Sequence, residues 1–214
     1  MSSTMTVCGR DTQPATLTIA PSHRGAAMRS PDMRKPVSGP PSAQPALPAR
    51  SGGSTMSFNG GTLRAAGDHT ALINGFTTGS LTTTGAGASI DTNGFSVGMN
   101  SSFSGTGGLT KSGTGTLTLH AASTYSGSTA VSAGTLRLGV AEALPDSSTV
   151  SISTAAVLDL NGYSETIGSF AGTGSVLIGA GTLTAGGDNT STSFTGTITG
   201  TGGLTKTGTG TLAL

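Results

Sequence analysis

Residues 105–119 read GTGGLTKSGTGTLTL, and residues 200–214 read GTGGLTKTGTGTLAL. Thirteen of the fifteen positions are identical at an offset of 95 residues. Each copy is almost wholly Gly, Thr and Leu with one lysine. Glycine at this density disfavours a helix, while β-branched Thr favours strands. Self-similarity inside one chain is the signature of an array or solenoid. Three weaker echoes support that reading. The tripeptide Gly-Thr-Leu recurs at 61–63, 115–117, 134–136, 181–183 and 210–212. GGTLRAAGD (60–68) resembles AGTLTAGGD (180–188), and DTNGF (91–95) resembles DLNGY (159–163).

Around these echoes lie short runs that alternate apolar and polar residues. They are TLTLH (116–120), TLRL (135–138), TVSIS (149–153), AVLDL (156–160), SVLI (175–178) and TLTA (182–185). Gly and Asn-Gly punctuate between them, as expected for strands ended by turns. In TLTL the leucines face a core and the threonines face outward. Aromatics are only 4% of the chain and Trp is absent, so any core is narrow and aliphatic. An all-β parallel β-helix meets these conditions: Gly-Thr-Leu units stack coil on coil, with Gly at the corners. At about 20–25 residues per coil, the offset of 95 is about four coils and that of 120 about five. Residues 52–214 then make roughly seven coils. An antiparallel sandwich also explains the strands but gives no reason for the repeated units.

Residues 1–51 differ in kind. Eight of the nine prolines and six of the ten basic residues fall in 1–50, giving a net +4 there against −3 beyond. Prolines remove ladder donors, so this segment is expected to be disordered, preceding a β-helix at 52–214. Its basic residues are dispersed with no interleaved aromatics, which speaks against nucleic acid as a partner. Cys8 is the sole cysteine, so no intrachain disulfide forms.

GTGGLTKSGTGTLTLHAASTYSGSTAVSAGTLRLG (105–139) resembles the passenger-associated repeat of bacterial autotransporters. Gly107, Gly108, Leu109, Lys111, Gly113, Gly115, Thr116, Leu117 and Leu119 match its first part. Tyr125, Gly127, Thr129, Gly134 and Leu136 match the rest, with Ser123 where the repeat usually has Asn. In the second copy, Gly202, Gly203, Leu204, Lys206, Gly208, Gly210 and Leu212 match. The resemblance spans about residues 58–214 and implies a right-handed parallel β-helix displayed on a Gram-negative cell surface. It further implies a C-terminal outer-membrane β-barrel in the full-length protein, absent from this sequence, and contact with a host surface or matrix. Since the second copy stops at Leu214, the chain reads as a fragment or mis-bounded product. Leu212 and Leu214 are then expected to form an edge with no following coil.

The resemblance implies a structural stalk segment rather than an enzyme. Other classes find little purchase. Lys111 and Lys206 could bind an anionic glycan or lipid, but a lysine beside a turn is expected to face water and discourage edge pairing. Asp68, Asp91, Asp159 and Asp188 sit where an Asx side chain bonds its own backbone. His23, His69 and His120 are isolated, no ligand cluster has zinc or calcium spacing, and no cofactor or metal is expected. A glycan-active β-helix enzyme would need carboxylates converging on one groove. A third reading is a direct adhesin whose Thr-rich faces bind host or matrix.

Overall fold

The computed structural model describes residues 55–214 together with the strands Met5–Val7 and Thr16–Ile19. Most of the segment expected to be disordered lies outside the described residues. Within it, Met5–Val7 pairs with Met56–Phe58 and Thr16–Ile19 with Thr62–Ala65, both parallel.

Every strand pairing is parallel, which excludes the antiparallel sandwich. The chain winds through about eight turns, visiting three faces in a fixed order. The first face carries Met56–Phe58, Leu81–Thr83 and Ser104–Gly105, and later Glu165–Ile167, Thr182–Ala185 and Gly203–Lys206. Between those two sets, residues 123–126 and 143–144 bridge the face by hydrogen bonds: Thr124 N–H to Phe103 O, Ser123 N–H to Ala143 O, and Ala143 N–H to Glu165. The second face runs Thr62–Ala65, Ala88–Asp91, Leu109–Ser112, Thr129–Val131, Thr149–Ile152 and Ser169–Gly172. A bridge from Gly172 to Phe194 carries it on to Thr192–Ser193 and Leu212–Ala213. The third face runs His69–Ile73, Ser96–Met99, Thr116–Leu119, Thr135–Leu138, Val157–Asp159, Ser175–Gly179 and Thr197–Gly200.

Register turns alternation into columns. On the third face Val97, Leu117, Leu136, Leu158 and Val176 stack inward. On the second, Ala88, Leu109, Thr129, Val150 and Phe170 stack. Strands lie about 4.8 Å apart, so each side chain rests on its counterpart in the coils to either side. Four of the eight aromatics form two pairs, Phe58 with Phe103 (ring centroids 6.0 Å) and Phe170 with Phe194 (5.1 Å). Burial of these columns is the main stabilising term, since the surface is largely Thr, Ser and Gly.

One expectation is corrected by the topology. The offsets of 95 and 120 are not whole numbers of coils. Leu109 of the first copy lies on the second face, whereas Leu204 of the second lies on the first face. Leu63 and Leu183, in the pair at offset 120, differ in the same way. The Asp-x-Asn-Gly corners also move: Asp91 ends a strand of the second face and Asp159 one of the third. Only the adjacent units at 115 and 134 are one coil apart, with Leu117 paired to Leu136. The repeat is therefore tied to a corner and its two flanking strands, not to one face.

Candidate functional site

The most concentrated chemistry lies in the repeat at 105–139. In the strand Leu109–Ser112, Leu109 and Lys111 point inward and Thr110 and Ser112 outward. Lys111 occupies the inward column between Ile90 and Val131 and is wholly buried. This overturns the expectation that it faces water. Its methylene stem fills an apolar column, and its ammonium bends into the corner that follows the strand. There it donates to Ser112 O (2.9 Å), Gly113 O (2.7 Å) and Ala133 O (2.9 Å). Three N–H groups meet three carbonyls, so part of the hydration lost on burial is replaced. Two of those carbonyls belong to the lysine's own corner and the third to the next coil. Burial pushes the amine down to about 8, with Asp91 acting in the opposite direction. It thus remains charged at neutral pH. The signal was present in the sequence: in LTKS, the period of two places Lys on the side of Leu.

The repeat's glycines have a common cause, close approach between coils. A Cβ on Gly108 would lie 2.2 Å from Ser128 O of the following coil. On Gly107 it would meet Thr84 O at 2.6 Å, and on Gly115 Phe95 O at 1.9 Å, both in the preceding coil. Gly127 and Gly134 abut the backbones of Gly108 and Gly115. Gly105 (φ +103°), Gly113 (φ +75°) and Gly134 (φ +65°) also take positive φ, which favours glycine. Thr116 packs outward and its N–H donates to Phe95 O, while Leu117, Leu119 and Leu136 are buried. The Tyr-x-Gly-x-Thr half closes on itself. The buried Tyr125 hydroxyl bonds Thr129 Oγ1 (2.6 Å), which bonds Ser148 Oγ (2.9 Å) in the next coil. Burial raises the Tyr125 hydroxyl well above its ordinary range, so it stays protonated.

The second copy repeats half of this arrangement. Lys206 reaches the same two corner carbonyls, Thr207 O and Gly208 O (3.3 Å to the latter), yet is exposed. Gly202, Gly208 and Gly210 abut the preceding coil at Gly181 O, Gly186 O and Thr190 O. Gly203, the counterpart of Gly108, has nothing nearer than 3.6 Å to a Cβ. Leu204 and Leu212 are half-buried, and Leu214 is 72% exposed.

Two further coil-to-coil devices escaped the sequence reading. Arg64 pairs through Nε with Asp91 (3.2 Å) and through Nη2 with Asn93 Oδ1 (2.6 Å). Arg137 does the same with Asp159 (3.3 Å) and Asn161 (2.5 Å). Both asparagines then donate back to the preceding coil, to Ala65 O and Leu138 O. Gly-Thr-Leu-Arg at 61–64 and 134–137 was the available signal. The Asx expectation holds for Asp91, Asp159 and Asp188, which accept the N–H two residues on, whereas Asp68 accepts Ser96 N–H of the next coil. The second device joins Glu165 to the loop at 140–148. Glu165 is buried in an inward column and accepts the N–H groups of Ala143 (2.9 Å) and Leu144 (2.7 Å). Glu142 reciprocates on Thr166 N–H (2.9 Å). Desolvation pushes the Glu165 carboxyl up to about 8; the two amide bonds oppose this, and Glu142 and Asp146 add to it.

A shallow surface depression of about 360 Å³ is lined by Ser151, Ile152, Ser153, Thr154, Ala171, Gly172 and Thr173, with no charged group. Among the described residues, no three His, Cys, Asp or Glu side chains converge as metal ligands. The carboxylates of Glu142 and Glu165 are directed to backbone amides rather than to a groove.

Residues 109–138 match the family described as the passenger-associated-transport-repeat. The chain is 41% identical over 167 residues to the adhesin BmaC autotransporter of Brucella suis biovar 1 (strain 1330). That alignment covers 73% of this chain and 5% of the relative, so the chain spans about one-twentieth of the relative's length. No solved structure matches it.

Proposed function

We propose that residues 52–214 form a stalk segment of an autotransporter passenger, built from solenoid coils and displayed at the cell surface by a C-terminal outer-membrane barrel of the full-length protein. The observation that carries this reading is the passenger repeat at 109–138 folded as consecutive coils, with its lysine, glycines and tyrosine all spent on joining one coil to the next. Such a segment adds length and nearest-neighbour stability with each coil, which suits progressive folding outside the membrane. The inward placement of Lys111, Tyr125 and Glu165 supports a structural rather than an enzymatic role. The test is to probe intact cells carrying the full-length protein with an antibody against residues 55–214, and to treat them with an external protease. Labelling and cleavage on intact cells are expected; an epitope reached only after lysis contradicts the reading.

A second reading, a direct adhesin, draws on the name of the Brucella relative. The outer faces offer ranks of hydroxyls, such as Thr116 and Thr135 on neighbouring coils. Binding of purified residues 55–214 to host cells or matrix would support it, and absence of binding leaves the segment a carrier for other parts of the protein.

A further inference from the structure

The dipeptide Asn-Gly occurs four times, at 59–60, 74–75, 93–94 and 161–162. It is the pair of residues best suited to losing a side-chain amide. Glycine has no Cβ to shield its nitrogen, which can attack the asparagine Cγ and close a five-membered succinimide. Two conditions govern that attack: the asparagine side chain must be able to swing toward the next nitrogen, and that nitrogen must be able to give up its proton. The four sites meet these conditions unequally. Asn93 is held at both ends of its amide, Oδ1 accepting from Arg64 Nη2 (2.6 Å) and Nδ2 donating to Ala65 O (3.2 Å). Asn161 is held in the same way by Arg137 Nη2 (2.5 Å) and Leu138 O (3.2 Å). Turning either Cγ toward its glycine breaks both bonds. At Asn59 the attacking nitrogen is the group engaged: Gly60 N–H donates to Gly87 O (2.8 Å), and Asn59 Oδ1 accepts from Ala86 N–H (3.5 Å). Asn74 has neither restraint. Asn74 and Gly75 are exposed, and among the described residues neither the Asn74 amide nor the Gly75 N–H makes a hydrogen bond. A Cβ on Gly75 would meet nothing within 4 Å. The chain is anchored on either side, by Ile73 O accepting from Asn100 N–H (2.9 Å) and Phe76 N–H donating to Ser101 Oγ (3.1 Å).

We infer that Asn74 is a site of spontaneous deamidation, and that the clasps of Arg64 and Arg137 protect Asn93 and Asn161 from the same reaction. Hydroxide takes the Gly75 N–H proton, the nitrogen bonds to Asn74 Cγ, and the Cγ–Nδ2 bond breaks with release of ammonia. Water then opens the ring at one carbonyl or the other, leaving aspartate or isoaspartate. One water is consumed and one ammonia leaves, with no oxidant or cofactor. Either product adds a negative charge at an exposed corner. The isoaspartyl form also adds a backbone carbon between the anchors at Ile73 and Phe76. Phe76 packs partly buried against the core, so it is the side chain that the longer backbone displaces. The arginine clasps thereby gain a second role: they join neighbouring coils and fix the amide of a chemically fragile corner.

The test incubates the folded 214-residue chain in mildly alkaline buffer made with heavy-oxygen water, which labels deamidation in the intact protein and separates it from deamidation during digestion. Peptides containing the four Asn-Gly pairs are then followed by mass spectrometry. Asn74 is expected to deamidate at least 10-fold faster than Asn59, Asn93 or Asn161. In denaturant the four rates should converge, because the dipeptide is the same and only the fold distinguishes them. Arg64→Ala should raise the rate at Asn93 at least 5-fold and leave Asn161 unchanged, and Arg137→Ala should do the reverse. The unaffected corner in each variant, with amide-exchange protection at 109–119, reports that the solenoid is still folded. A rate at Asn74 no higher than that at Asn93 in the folded chain overturns the assignment of the site. An unchanged or slower rate at Asn93 in Arg64→Ala overturns the protective role, by making the arginine irrelevant or an activator of the amide.

Discussion

Residues 105–119 and 200–214 are nearly the same sequence in two different environments. In the first, Leu109, Lys111, Leu117 and Leu119 are all buried. In the second, Leu204 and Leu212 are half-buried and Lys206 is exposed. A following coil covers the first copy and not the second, and the two copies begin on different faces. The difference teaches that the phrase does not carry its stability within itself. Its apolar residues and its lysine are completed by the coil on each side, as nearest-neighbour stabilisation in a solenoid requires.

The comparison is broken most sharply at the lysines. Lys111→Met leaves Gly113 O and Ala133 O buried without their ammonium partner, and is expected to cost about 3 kcal/mol in denaturant unfolding. Lys206→Met should change stability by less than about 0.5 kcal/mol. Equal effects would show that the third carbonyl is irrelevant. Next come the glycines. Gly108→Ala forces apart two backbones and should cost about 2–3 kcal/mol, while Gly203→Ala meets open space and costs a few tenths at most.

A smaller effect sharpens the comparison through pH. Glu165 is raised to about 8 from an ordinary value near 4.5, so the folded state holds its proton more tightly than the unfolded one. Its contribution is present in acid and lost as pH rises through that window. Lys111 is lowered to about 8 from 10.5, so its contribution is present above 10.5 and lost as pH falls toward 8. Together these two groups give a stability minimum near pH 8, each limb sloping by at most about 1.4 kcal/mol per pH unit. Glu165→Gln should flatten the acid limb and Lys111→Met the alkaline one, whereas Lys206→Met should flatten neither. Thermal melts from pH 5 to 10 check this. The smallest expected effect belongs to the arginine clasps. Arg64 and Arg137 are about half exposed, so replacing either with Ala should cost no more than about 1 kcal/mol, less at high salt.

Much of the fold could be read from period and punctuation. TLTLH, TLRL, TVSIS, AVLDL, SVLI and TLTA all became strands within a residue or two of the expected bounds, because alternation and Gly corners agree locally. The rotation of the second copy by one face was not legible, because it depends on the summed lengths of corners such as the loop at 140–148. Lys111 was misjudged because its charge outweighed its position, although LTKS placed it beside Leu109 on the inner side. Glu165 was missed for the same reason, two residues before the inward Ile167. The clasp from Arg64 to Asn93 joins residues 29 apart in sequence, and only the coil register brings them together.

The central claim is that nearly identical sequence gains its stability from the coil that follows it. Amide exchange of the monomeric 214-residue chain tests this within one molecule. Protection at 109–119 should approach the limit set by global unfolding, and protection at 203–213 should fall at least 100-fold below it. Equal protection of the two copies in a monomer would contradict the account.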